Sequence, residues 1–183
     1  MKRTVAAIGA AFLVAGGPMA QAQVVFTVVV PSGQFGSTQF LTEILGSLAT
    51  IKAFCGGLSD TSYRVDCLAE RLNAVSAEMP EGTDYDEVRA VLTDTSMKLE
   101  QLARGNQDRG KKRINVATES AGATARPLVA VDDARLAAVN QQAEAILEEA
   151  RTVLLRSTGS KQRQSQYTRI AQAIDSSKVL LRS

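Results

Sequence analysis

The chain has 183 residues, 21 basic and 19 acidic, with two cysteines, no histidine and no tryptophan. The missing histidine removes the commonest general base and metal ligand, so Ser-His-Asp, Cys-His and H-E-x-x-H sites are excluded at the outset. A near-balanced charge also argues against a globally basic nucleic-acid binder.

Lys2 and Arg3 precede an apolar, small-residue stretch from Thr4 to Gly16. Gly16-Gly17-Pro18 breaks that stretch, and Ala20-Gln21-Ala22 has the A-x-A form of a cleavage site. Residues 1–22 are therefore read as a secretory signal peptide, and residues 23–183 as a single domain of about 160 residues. The rival reading, an uncleaved anchor running on through Val30, is disfavoured because Gly-Gly-Pro interrupts a span that needs about 20 unbroken apolar residues. A short bacterial-type leader predicts a periplasmic or secreted protein. Without the leader's Lys2 and Arg3 the chain carries 19 bases against 19 acids.

Val24 to Val30 is β-branched and apolar and ends at Pro31, so residues 23–36 are read as a short extended N-terminal segment. It has no comparable strand partner in the sequence, which leaves packing along a helix groove, the favoured reading, or pairing with another molecule. Ser37 or Thr38 offers a cap for a first helix, whose stripe is Phe40, Leu41, Ile44, Leu45, Leu48, Ile51 and Phe54. Gly56-Gly57 ends it. Ser59 or Asp60 can cap a second helix, with Tyr63, Cys67, Leu68, Leu72, Val75 and Met79 on one face and Pro80 and Gly82 as its stop. Cys67 lies on that apolar face, and Cys55 lies at the end of the preceding apolar segment. An oxidising compartment favours their pairing. Such a bridge would pin the corner of a helical hairpin and contribute roughly 3 kcal/mol by the chain-entropy argument. The spacing is not C-x-x-C, and two cysteines without histidine make no zinc site. Thr83 can cap a third helix with Asp84, Asp86 and Glu87 in its first turn. That acidic cluster is read as a response to the helix dipole rather than as a metal site.

Residues 104–131 change character. Glycines interrupt them, apolar periodicity is poor, and Arg109, Lys111, Lys112 and Arg113 concentrate positive charge. This long basic connection is either an extension of the third helix kinked at its glycines or a mobile loop. Its four cations are candidate contacts for an anion. A solvated turn is the favoured reading, and the lack of interleaved aromatics disfavours single-stranded nucleic acid. Beyond Pro127, Asp132 or Asp133 can cap a long helix with near-heptad Leu136, Val139, Ala143, Ile146, Leu147, Ala150, Val153 and Leu154. Thr158-Gly159 and Ser160 form a tight turn to a last helix with Tyr167, Ile170, Ala171, Ile174 and Leu181 inward.

The predicted fold is all-α: an antiparallel bundle of about five helices with the short extended N-terminal segment. Charge is uneven, with 11 acids and 5 bases in residues 23–103 but 6 bases and one acid in residues 156–183. Packing of the acidic early half against the basic last helix would account for it. The one carboxylate pair at helical spacing, Glu144 and Glu148, is read as surface charge rather than a glycosidase-like site. No cofactor, metal or catalytic residue is expected. The expected function is a structural or protein-interaction role in the cell envelope; the alternative is a holdase-type chaperone for unfolded envelope proteins. The partner is then another envelope protein or an unfolded client, not nucleic acid, with an anionic membrane surface less favoured and self-association left open.

Overall fold

The computed structural model describes residues 38–82, 85–157 and 161–182. The leader, the Val24–Val30 segment, the Thr83 cap and the Thr158–Ser160 turn lie outside the described residues. The fold is an all-α antiparallel bundle. Its helices are α1 (Thr38–Gly56), α2 (Arg64–Glu78), α3 (Asp86–Gly105), α4 (Leu136–Arg156) and α5 (Lys161–Asp175). Each helix packs on its neighbour in chain order, and α5 closes against α1, so the five form a ring.

The apolar stripes point into that ring. Phe40, Leu41, Ile44, Leu48, Ile51 and Phe54 of α1 are buried, as are Val139, Ala143, Leu147, Ala150 and Leu154 of α4. Tyr167, Ile170, Ala171 and Ile174 of α5 complete the core from the returning side. Burying each of the Leu, Ile, Val and Phe side chains among them contributes about 1.5–3 kcal/mol. Contacts at the two ends show that α3 and α4 run in opposite directions: Ser157 donates to Glu87, and Arg135 to Asn106 at 3.4 Å. Lys98 of α3 meets Glu149 of α4 at 2.9 Å, and Arg182, beyond α5, meets Glu144 of α4 at 3.0 Å.

Asp60 makes the cap expected at the second helix, accepting from the Ser62 N–H at 3.0 Å. It caps a short 3-10 turn, Thr61–Tyr63, that leads into α2. Cys55 and Cys67 are bridged across this corner, with Cα atoms 5.7 Å apart and both residues fully buried. The chain ends in a second 3-10 segment, Ser176–Leu181, which folds back over the same corner. Gly56 permits that approach, because a Cβ there would stand 3.1 Å from Leu180 Cδ2. Asn140 of α4 donates to the Leu181 carbonyl at 2.9 Å and ties the segment down on its other side.

Four expectations change. The connection after α3 is neither a helical extension nor a loose loop. Gln107 bridges to Val131 and Ile114 to Leu128, while β1 (Ala117–Thr118) and β2 (Gly122–Ala123) form a small antiparallel hairpin. Gly122 supplies the positive φ of 65° at that hairpin. Leu128, Val129, Ala130 and Val131 all enter the core, a run of four with no helical period to reveal it. Second, neither Asp132 nor Asp133 caps α4. Its N-cap residue, Arg135, makes no side-chain cap bond, while Asp132 turns the chain one step earlier by accepting from the Ala134 N–H at 2.9 Å. Third, two bases of the tail, Lys178 and Arg182, are not spent on the acidic early half. They pair with Glu148 and Glu144 on α4. Fourth, Leu181 is buried as expected, but on the 3-10 segment rather than on the last helix.

Candidate functional site

On α2 the expected apolar face is buried, and so is much of the rest of the helix. Asp66, Glu70 and Arg71 are 0%, 4% and 2% exposed, beneath the connection that runs from α3 to α4. Asp66 accepts both terminal nitrogens of Arg126 at 2.7 Å and the Val129 N–H at 2.8 Å. Glu70 accepts the Ala125 N–H at 2.7 Å and the Arg71 guanidinium at 2.6 Å, with Arg71 Nε donating to its other oxygen. Arg71 then donates to the carbonyls of Ala121 at 3.2 Å and Ala123 at 3.0 Å and lies 5.0 Å over the Phe54 ring. Paired burial of this kind is tolerated because every charge is met and hydrogen-bonded. Asp66 holds the Arg126 guanidinium in its charged form, with burial opposing and Glu100 and Glu70 adding to the attraction.

These contacts build one wall of a groove of about 760 Å³ between α2, α3 and residues 123–126. Its polar members are largely engaged. Arg71, Glu70 and Arg126 hold the connection, Ser96 donates to the Ala69 carbonyl at 2.7 Å, and Glu100 pairs with Arg104 at 2.6 Å and Arg126 at 3.3 Å. Toward solvent the groove presents Ala74, Ala77, Ala123, Ala125 and Met97, the last 49% exposed. Among the described residues no three His, Cys, Asp or Glu side chains gather as a metal site would require. Glu144 and Glu148 are spent on ion pairs. Arg182 holds the Glu144 carboxyl below its usual range, and Lys178 and Arg151 do the same for Glu148.

The four cations of the connection separate into two roles. Lys111 reaches back to the bundle, 3.1 Å from Asp60, 3.0 Å from Asp133 and 3.2 Å from the Ser62 hydroxyl. Arg109, Lys112 and Arg113 are exposed. The Ser62 hydroxyl depresses the Asp60 carboxyl below its ordinary value; partial burial opposes this, and the Ser62 amide and Lys111 assist. Asp133 raises Lys111, against burial, with Asp60 assisting. A depressed carboxyl contributes stability above its unfolded pKa and loses it as pH falls through the folded value. A raised amine contributes below its unfolded pKa and loses it as pH rises through the folded value. This latch is therefore expected to stay closed between about pH 4 and pH 10 and to open at either extreme. Carboxyl-carbon NMR of Asp60 checks the acid side, where a midpoint at or above that of an ordinary aspartate would contradict the assignment.

Sequence reading missed the buried Asp66, Glu70 and Arg71. Charges at this helical spacing look like a solvated face, and the groups that cover them lie 50 to 63 residues further along the chain. Compared with protein-family models, curated proteins and solved structures, the chain finds no match.

Proposed function

We propose that this is an exported, disulfide-bridged helical-bundle protein with a structural or interaction role in the cell envelope and no catalytic activity of its own. The observation that carries this reading is the groove, whose charged groups serve to clamp the connection onto α2 while alanines and Met97 face outward. A site of this kind offers a contact surface rather than a converging set of reactive groups. Of its three carboxylates, Glu70 and Glu100 are paired, with Arg71, Arg104 and Arg126, and Glu78 makes no ion pair among the described residues. That carboxylate favours a partner segment bringing an aliphatic side chain next to a basic one. The holdase alternative draws support from the same exposed Met97, and the closed ring counts against it.

A photo-crosslinking side chain placed at Met97 in the exporting cell tests the reading. One discrete envelope-protein adduct is expected there, none from the exposed Gln141, and none when Ala77→Trp fills the groove. A smear of many adducts would favour the chaperone, and no adduct at all would sink both. The same purified protein should begin after Ala22 and show no alkylated cysteine without reduction. An intact leader or two labelled cysteines would overturn export.

A further inference from the structure

The connection carries four cations in five residues, Arg109 to Arg113, with Gly110 between them. Lys111 is consumed by Asp60 and Asp133. The other three make no side-chain hydrogen bond or ion pair among the described residues. The backbone beneath them is fixed at several points. The Asp108 N–H donates to the Ala130 carbonyl at 2.8 Å, and Ile114 exchanges ladder bonds with Leu128 at 3.1 and 2.7 Å. The buried Tyr63 hydroxyl donates to the Lys112 carbonyl at 2.6 Å. The nearby carboxylates are also engaged: Asp60 and Asp133 hold Lys111, and Asp108 accepts the Gly110 N–H at 2.7 Å. The backbone that carries the three cations is thus held in place, and none of the three is spent on an ion pair among the described residues.

We propose that Arg109, Lys112 and Arg113 form a docking face for a membrane surface bearing phosphate headgroups. Guanidinium groups meet phosphate oxygens in pairs, and a lysine adds a point charge. Clustered basic residues held at an anionic bilayer reinforce one another. Fixing their backbone beforehand lowers the ordering cost of binding. Residues 104–131 contain no aromatic side chain on which bases would stack, which sets single-stranded nucleic acid aside. The inference deepens the envelope reading by naming a surface, and it does not use the α2–α3 groove.

The test is co-sedimentation of the full chain at low salt with phosphatidylglycerol–phosphatidylcholine vesicles and with phosphatidylcholine alone. Retention is expected on the anionic vesicles only, weakened by added salt. Replacing Arg109, Lys112 and Arg113 together by Gln should lower the partition coefficient by about a hundredfold and leave the melting temperature unchanged. Lys2 and Arg3 are common to every variant. Replacing the exposed Arg156, Lys161 and Arg169 by Gln removes the same charge elsewhere and should preserve retention. Absent retention, equal retention by parent and first variant, equal loss in both triple variants, or tighter retention on duplex DNA than on vesicles would each overturn the proposal. The assay needs neither export nor the groove, so its failure is distinct from failure of the crosslinking test.

Discussion

Asp66→Ala is expected to be among the most damaging single substitutions in this protein, at about 3–5 kcal/mol. The carboxylate is 0% exposed and takes three hydrogen bonds from residues 60 and 63 positions away. Its removal strands the Val129 N–H inside the core and leaves Arg126 to Glu100 and the Pro127 carbonyl. The cost falls toward the lower end of that range, because the Arg126 side chain is 25% exposed and can rehydrate. Asp66→Asn retains an acceptor for Val129 but loses the charge, so it should cost less. Denaturant melts rank the variants, and amide exchange at Val129 reports whether the connection has lifted. An Asp66→Ala protein as stable as the parent would mean that the clamp contributes nothing to the fold.

Leu147→Ala and Ile170→Ala should each destabilise by about 2–5 kcal/mol, the usual cost of lost transfer energy plus a residual cavity. Leu147 is 0% and Ile170 1% exposed, on helices that pack directly on one another. Gln141, on the outer face of α4, should tolerate alanine with a change of about half a kcal/mol or less. Denaturant melts of the three variants distinguish core from surface. A harmless Leu147→Ala would show that the stripe is not enclosed, and would revive the reading in which it is offered to a client.

The helices were legible because burial leaves a period. Phe40 to Phe54, Val139 to Leu154 and Tyr167 to Ile174 repeat at three and four residues, and the ring encloses those faces except at Val153, which is 43% exposed. The cysteine bridge was legible because Cys55 and Cys67 flank a Gly-Gly corner that brings helix ends together. The groove was not. It depends on Ala123 and Ala125 lying over α2, and nothing local in an alanine, glycine and threonine sequence records which helix it will cover.

The sequence by itself determined which faces are apolar, where the glycine and proline breaks fall, and which thiols can meet, since each is a property of neighbouring residues and of the helix repeat. Only the tertiary structure decided what the charges do. Asp66, Glu70 and Arg71 have the spacing of a wetted helix face and became buried clamps. Lys111 sits among cations of the same type and became a latch, while Arg109, Lys112 and Arg113 stayed in water. The physical reason is range. A hydrophobic stripe needs only to be turned away from water, whichever element covers it. A buried charge needs particular partners at hydrogen-bond distance, and apart from the adjacent Glu70–Arg71 pair these come from a segment fifty or more residues away once the chain has folded.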